Sequence, residues 1–197
     1  MNRKMIKNII IGVILISLIV GYYFYLSEKN IKDAESEVVE TTLTQDVLAK
    51  DLEKFYPATP KEVVKYYNEI QECYYNEEND EETIREVMVK SRELFDVDLL
   101  AKNSEDQQFE DLMKEVEDFK KKERDIFGWS TDSADDVEYN SFEDSEWATI
   151  KSYYTLRTKG THSKTTQIFL LRKDSEGKWK IYGWDLVKPD TAGETGE

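Results

Sequence analysis

The chain has 197 residues, 39% of them hydrophobic, which suits one soluble domain with appendages rather than several domains. A formal net charge of -15 argues against nucleic acid as a partner, because the phosphate backbone would be repelled. With a single cysteine, Cys73, the chain cannot form an intrachain disulfide, so packing alone must hold the fold.

A basic N-terminus precedes an uncharged apolar segment. Arg3, Lys4 and Lys7 come before residues 9–26, which as a helix would span roughly 27 Å at 1.5 Å per residue. The length of the apolar segment predicts a single membrane span over residues 9–26, and the charge asymmetry predicts residues 1–8 in the cytoplasm and the C-terminal domain outside the cell. The alternative is a cleaved signal peptide, but bulky aromatic residues follow the apolar segment where small residues would be needed. We therefore expect an uncleaved anchor.

Polar segments without apolar periodicity flank the remaining chain. Residues 27–42 are rich in Glu, Lys, Asp, Ser and Thr, which predicts a flexible acidic stalk. Residues 188–197 contain one apolar residue besides proline, Ala192, and are predicted to form a disordered tail. One α+β domain is expected between them, over residues 43–187.

Three amphipathic helices are predicted in the first half of this domain, after a short helical lead-in over residues 43–55. The first helix starts at Thr59-Pro60-Lys61-Glu62, a capping box with proline at the first helical position. The second starts near Asn79, and its apolar stripe runs on to Leu100. The third starts at Ser104 with another capping box. Each helix has one apolar stripe that needs a surface to pack on.

A bent four-stranded antiparallel sheet is predicted in the second half. Residues 130–136 are expected to be a polar loop, before a weak strand at 137–142 and stronger strands at 147–159, 163–173 and 178–187. In the last two strands, apolar residues occupy both alternating positions. Whichever face packs on the helices, the outer face then keeps an apolar patch. We expect this patch to pack on a second copy of the chain, on a protein partner or on the lead-in.

The order of elements, helices first and then a bent antiparallel sheet, resembles the nuclear transport factor 2-like (cystatin-like cone) fold. Four motifs are also similar to those of a membrane-anchored bacterial family of unknown function. The motifs are Tyr56-Pro57-x-Thr59-Pro60-x-Glu62-Val63-Val64, Tyr74-Tyr75-Asn76-Glu77, Leu94-Phe95-Asp96-x-x-Leu99-Leu100-Ala101, and Leu171-Arg172-Lys173 before Trp179-Lys180-Ile181-x-Gly183-Trp184. The resemblance covers about residues 43–187 and implies a cone-like domain, without any catalytic residue to carry over.

Aromatic residues could line the pocket that a cone-like fold encloses. The candidate ligand-binding residues are Tyr67, Tyr74, Tyr154 and Trp184. Aromatic side chains more often pack a core, but tyrosine hydroxyls beside a buried carboxylate would also suit an isomerase or lyase. By strand position the nearest carboxylate is Asp185. We predict a binding or assembly module, with a small-molecule isomerase or lyase as the alternative.

Other candidate residues lack the partners that their chemistry requires. His162 is the only histidine and lies in a predicted turn, whereas metal sites and catalytic triads need further ligands or partners. Acidic clusters at residues 77–82 and 132–138 lack the alternating ligands and glycine of an EF-hand loop. Cys73 is expected to act as a small buried hydrophobe. We predict no catalytic residue, no metal site and no cofactor.

Overall fold

The computed structural model describes residues 41–187, which form an α+β unit with helices first and an antiparallel sheet after them. The helices are α1 (Leu43–Ala49), α2 (Pro60–Tyr75), α3 (Glu81–Arg92), α4 (Val97–Lys102) and α5 (Glu105–Lys121), and the strands are β1 (Arg124–Thr131), β2 (Glu138–Phe142), β3 (Ser145–Thr158), β4 (Thr161–Lys173) and β5 (Trp179–Leu186). The described part therefore has five helices where about three were predicted, and five strands where four were predicted.

The predicted anchor at residues 9–26, nearly all of the stalk at 27–42 and the tail at 188–197 lie outside the described residues. Within residues 41–187, every helix is too short or too polar to cross a bilayer. The anchor, the stalk and the tail therefore stay predictions.

Local capping sets the helix starts, which is why most of them match the sequence. At the start of α2, the side chains and backbones of Thr59 and Glu62 exchange both hydrogen bonds of a capping box. The Ser104 side chain caps α5 by accepting a hydrogen bond from the Gln107 amide. For α3 the cap is Asp80, one residue later than predicted.

The predicted second helix is in fact two helices, α3 and α4, separated by a short extended segment. Leu94, Phe95 and Asp96 run parallel to β5 there, with the Ile181 amide donating to Leu94 O at 2.8 Å and the Asp96 amide donating to Ile181 O at 2.9 Å. The Asp96 side chain then caps α4. Because these backbone groups pair with the sheet, the helix cannot continue through them.

The sheet has the order β1-β3-β4-β5, and β2 pairs with β3 beside β1. β1 was not predicted, since a bulge at Phe127 interrupts its alternation: Ile126 pairs with Leu156, but Gly128 pairs with Thr155. Part of the segment predicted to be a loop is therefore strand, through Thr131.

Helices cover the inner face of the sheet, and α2 lies at the centre of that layer. The buried inner-face residues are Ala148, Ile150, Phe169, Leu171, Trp179 and Ile181, each at most 5% exposed. On α2, Val63, Val64 and Ile70 are fully buried against them in one core. Each such apolar side chain stabilises the fold by roughly 1.5–3 kcal/mol, so this core is the main source of stability.

The lead-in packs on the helices and not on the sheet. Val47 and Leu52 belong to the core at 1% and 3% exposure, and the Tyr66 hydroxyl donates to Val47 O at 2.8 Å. The Glu77 carboxylate accepts hydrogen bonds from the Leu43 amide at 2.9 Å and from the next amide at 3.0 Å. The lead-in therefore does not cover the outer face of the sheet, which removes one of the three predicted occupants.

A second bulge, at Tyr182, changes the alternation within β5. Leu171 pairs with Ile181, but Leu170 pairs with Gly183, so that Tyr182 has no opposite residue on β4. One extra residue moves every later side chain to the other face of a strand.

The bulge places Trp184 on the inner face, where it pairs with Phe169. Asp185 pairs with Ile168 and lies on the outer face. The alternation predicted from the sequence would instead put Trp184 on the face of Tyr182 and Asp185 on the face of Ile181. An uninterrupted period of two was assumed there, and the bulge breaks it.

Candidate ligand-binding cavity

A cavity of about 400 Å³ lies between the helices and the β4–β5 side of the sheet. Its walls come from α2, the end of α3, the α3–α4 connection, α4, α5 and the two strands. Small-molecule sites in proteins occupy about 300–1,000 Å³, so this volume is sufficient for a compact ligand.

Three aromatic rings form one wall of the cavity. The ring centroids of Tyr67 and Phe95 are 5.9 Å apart, and Trp184 lies 5.5 Å from Tyr67 and 5.8 Å from Phe95. Tyr67 and Phe95 are 6% and 5% exposed, whereas Trp184 is 41% exposed. The wall is therefore deep at Tyr67 and Phe95 and reaches solvent at Trp184.

Tyr74 also lines this cavity, and its buried hydroxyl has no hydrogen-bond partner among the described residues. Tyr74 is only 4% exposed, and burial raises its pKa, so the phenol stays protonated at neutral pH. Ser91 lies close enough to lower that pKa in part, but its hydroxyl donates to Met88 O at 2.7 Å and completes no hydrogen bond with Tyr74. An unpaired buried hydroxyl costs about 1–3 kcal/mol, so an acceptor atom of a ligand would be stabilised here.

Polar side chains of α5 form the wall nearer to solvent. Gln108 accepts a hydrogen bond from Arg92. Asp111 accepts one hydrogen bond from Gln107 at 3.0 Å and another from Lys114 at 2.9 Å. Glu115, one turn after Asp111, is also exposed. Among the described residues that line the cavity there are two carboxylates, those of Asp111 and Glu115, and no Lys, Arg or His.

Tyr75 lies between this polar wall and the core. Its ring stacks on Phe119 at a centroid distance of 4.1 Å. Burial raises the pKa of Tyr75, and the neighbouring Glu115 carboxylate raises it further. The Tyr75 phenol is therefore a second neutral hydroxyl at the cavity wall.

Tyr154 lies away from the cavity, in a buried polar network between α2 and β3. Its hydroxyl donates to Asn68 Oδ1, and Asn68 Nδ2 donates to Ser152 Oγ at 2.8 Å. The Ser152 hydroxyl donates in turn to Ser130 O at 3.3 Å. Burial raises the pKa of Tyr154 to about 12. Since these groups satisfy one another, the network joins helix to sheet and leaves Tyr154 no free hydroxyl for a ligand.

The structure thus brings together three of the four candidate residues, Tyr67, Tyr74 and Trp184, and separates Tyr154 from them. Ligand binding by these residues stays a prediction. Phe95 and Glu115 also line the cavity but were not predicted to do so. A signal for Glu115 was present, because it follows Leu112 by three residues and so shares one side of α5.

His162 is in a strand, which corrects its predicted place in a turn. The turn is formed by Lys159 and Gly160, both with positive φ (50° and 82°), as in the two-residue hairpins that favour glycine. His162 pairs with Arg157 across the hairpin, and its ring packs on Phe127 at a centroid distance of 4.6 Å. These contacts give it a packing role.

Cys73 is fully buried in α2, and its thiol donates to Glu69 O. Burial raises the pKa of this thiol to about 11, so almost none of it is thiolate at neutral pH. Packing is therefore the role that the structure gives Cys73.

Carboxylates of the two acidic clusters bind groups of the protein. Asp132 accepts hydrogen bonds from the Lys151 amide at 2.8 Å and from the Tyr153 hydroxyl at 2.7 Å. In the other cluster, Asp80 caps a helix and Glu77 caps α1. Within residues 41–187, no group of three or more His, Cys, Asp or Glu side chains is arranged to hold a metal ion.

Comparison with known proteins assigns a family but no activity. No curated protein matches the chain. A family model described as a domain of unknown function (DUF6715) matches residues 1–184, which is nearly the whole chain. This agrees with the predicted membership of a family without known function. The chain belongs to the DUF6715 family.

Proposed function

We propose that the protein is a membrane-anchored module that binds a small amphipathic ligand outside the cell membrane. The observation that carries the proposal is a cavity of about 400 Å³ that is lined by Tyr74, whose buried hydroxyl has no hydrogen-bond partner among the described residues. The aromatic wall offers an apolar surface, and Tyr74 offers one fixed donor. This combination of an apolar lining with a few convergent polar groups is typical of small-molecule sites.

The membrane location rests on the N-terminal sequence. Arg3, Lys4 and Lys7 precede the uncharged residues 9–26, which supports a single span with the N-terminus in the cytoplasm. Protease added to intact protoplasts should then degrade the domain, and full protection would contradict this orientation.

A cone-like, nuclear transport factor 2-like arrangement is the fold that we propose for the domain. Helices cover one face of an antiparallel sheet, and a cavity remains between the two layers. In this arrangement the ligand would enter past Trp184, where the aromatic wall reaches solvent.

The alternative of an isomerase or lyase would need a shielded carboxylate beside a tyrosine hydroxyl. Asp185 lies on the outer face of the sheet, and Glu115, the carboxylate beside Tyr75, is exposed to water. Neither carboxylate is shielded in the way that a general base of this kind usually is. The geometry therefore favours binding over catalysis.

Ligand-observed NMR with tyrosol, a neutral phenol that carries a short alcohol chain, tests the proposal on the full-length protein in lipid nanodiscs. We expect saturation transfer from the protein to tyrosol, and loss of the transfer in Leu112→Trp, which fills the cavity with a larger side chain. Tyr74→Phe should weaken binding about 5- to 30-fold, as one buried hydrogen bond of 1–2 kcal/mol is lost.

Tyr154→Phe is the matched control, because it removes a buried phenol hydroxyl outside the cavity. It should leave tyrosol binding unchanged. If wild-type protein and Leu112→Trp gave the same transfer, the cavity would not be the binding site.

A further inference from the structure

We infer that the cavity selects amphipathic cations: an amine or quaternary ammonium group on an apolar body that also carries a hydrogen-bond acceptor. The inference rests on the proposed function, since it names the class of ligand for the same cavity. Its basis is that Asp111, Glu115, Trp184 and Tyr74 line one cavity.

The lining of the cavity carries negative charge. Asp111 and Glu115 lie on the same side of α5, and no Lys, Arg or His of the described chain lines the cavity. Lys114 pairs with Asp111 at 2.9 Å, but both side chains are more than 60% exposed. A pair so exposed to water is weak and leaves the carboxylate available. The mouth therefore attracts cations and disfavours fatty acids, phosphates and other anions.

Arg92 offsets only part of this charge. Its guanidinium donates to Gln108 and to Asn103 O, at 3.2 Å for the latter, and it is not part of the lining. Within the described residues it therefore pairs with neutral groups and with neither carboxylate of the cavity. The protein as a whole, at a net charge of -15, adds to the attraction of positive ligands.

The aromatic wall offers a ring face to a cation. A cation on the face of a tryptophan ring gains about 0.5–1 kcal/mol at exposed sites and more when water is removed. Trp184 is 41% exposed and held in place by Tyr67 and Phe95 at centroid distances of 5.5 and 5.8 Å. A ligand can therefore place its charge near the mouth and its apolar body on the deeper rings.

The Tyr74 hydroxyl defines the other end of the ligand. This hydroxyl is neutral and buried and has no partner within residues 41–187, and so it can donate to a hydroxyl, ether or carbonyl oxygen. A ligand with a cation at one end and a hydrogen-bond acceptor at the other would contact the carboxylates with its cation and the Tyr74 hydroxyl with its acceptor. Tyramine has these two groups at the ends of one phenyl ring and a two-carbon chain.

Three probes with the same phenol ring and the same two-methylene spacer test the inference by calorimetric titration of the full-length protein, in nanodiscs of zwitterionic lipid. Tyramine is the cation, tyrosol the neutral analogue and 3-(4-hydroxyphenyl)propionate the anion. We expect tyramine to bind about 3- to 10-fold more tightly than tyrosol, from one exposed ion pair and one cation–π contact. The propionate should bind most weakly, and added salt should reduce the preference for tyramine.

Glu115→Gln should lower the affinity for tyramine by a larger factor than the affinity for tyrosol, so that the preference for the cation shrinks. Glu117→Gln, an equally conservative change at an exposed position of α5 outside the lining, is the matched control and should change neither affinity. If tyrosol and the propionate bound as tightly as tyramine, the selectivity would be rejected while ligand binding stood. If none of the three probes bound, the proposed function itself would fail.

Discussion

Arg172 of β4 binds the buried carboxylate of Asp96 with two nitrogen atoms of its guanidinium group. Nε lies 2.9 Å from Oδ2, and Nη2 binds Oδ1 and also Asp98 Oδ2, the latter at 2.8 Å. The Asp96 side chain is 3% exposed, and it also caps α4 by accepting from the Asp98 amide. One ion pair therefore ties α4 to the sheet at the break between α3 and α4.

Arg172→Met should lower the free energy of unfolding by about 3 kcal/mol, because it leaves a buried carboxylate without its cation. Arg157→Met is the matched control, since Arg157 pairs with Asp125 on the surface, where side-chain exposures are 46% and 29%. That change should cost less than about 1 kcal/mol. Urea unfolding of residues 41–197 measures both, and equal losses would show that the Asp96 pair is no stronger than a surface pair.

Two tyrosine-to-phenylalanine changes should affect stability in different ways. Tyr154→Phe leaves the Asn68 carbonyl without its donor and should cost about 1–3 kcal/mol. Tyr74→Phe removes a hydroxyl that has no partner among the described residues, and stability should stay the same or rise by up to about 1 kcal/mol. Thermal unfolding of the two variants provides the comparison. A clear loss of stability in Tyr74→Phe would mean that its hydroxyl is already paired, and the basis of the binding proposal would be gone.

Stability should fall at alkaline pH because the buried tyrosines must stay protonated in the folded state. Burial raises the pKa of Tyr154 from 10.0 to about 12. Below pH 10 the phenol is protonated in both the folded and the unfolded state, and its contribution to the free energy of unfolding is fully present. Between pH 10 and about 12 the unfolded chain loses the proton first, so the free energy of unfolding decreases as pH rises.

Tyr154→Phe should make that decrease shallower, and the tyrosinate absorbance of the folded protein should rise at higher pH than that of the unfolded chain. Superimposable titration curves for the two states would contradict the buried environments described for Tyr67, Tyr74 and Tyr154.

Residues 41–197 should fold without the N-terminal segment, because the core lies within the described residues. The N-terminal cut should keep Thr42, which exchanges two hydrogen bonds of 3.2 Å with Gln45 at the start of α1. Removing residues 1–42 instead deletes this cap and should cost about 1 kcal/mol. Calorimetry of the two fragments tests this, and a fragment from residue 41 that shows no cooperative melt would place the domain boundary earlier.

The outer face of the sheet is expected to contact a second copy of the chain or another protein. Ile168 and Leu170 are half-buried there, and the lead-in packs elsewhere. Analytical ultracentrifugation of residues 41–197 at tens of micromolar should show a dimer that Leu170→Lys dissociates. Val97→Lys, at a 70% exposed position on α4, is the control and should leave the dimer intact. A wild-type monomer would exclude the second copy as the occupant.

Local signals explain what the sequence predicted correctly. Thr59 with Glu62 and Ser104 with Gln107 act within one turn of backbone, so the starts of α2 and α5 could be predicted without knowing the fold. The same holds for β3, where Ala148 and Ile150 alternate with polar residues.

The errors came from contacts between distant parts of the chain. Phe127 and Tyr182 are bulge residues, and a bulge is defined by the strand opposite and not by its own sequence. The break between α3 and α4 depends on Ile181, which pairs with the extended segment around Phe95. The bulge at Tyr182 explains why Asp185 was considered as a possible base. The break between α3 and α4 explains why Phe95 was overlooked as part of the cavity wall.

The hydrogen bond from the Tyr56 hydroxyl to Trp179 O, at 2.8 Å, joins residues 123 positions apart. Together with the pairing of Phe95 and Ile181, it attaches the last strand to the beginning of the helical half. Contacts this distant in sequence slow folding, because a long loop must close before they can form. We expect α2 and α3 to form early and β5 to dock last, so a chain stopped before Trp179 would expose the inner face of its sheet and be prone to aggregate.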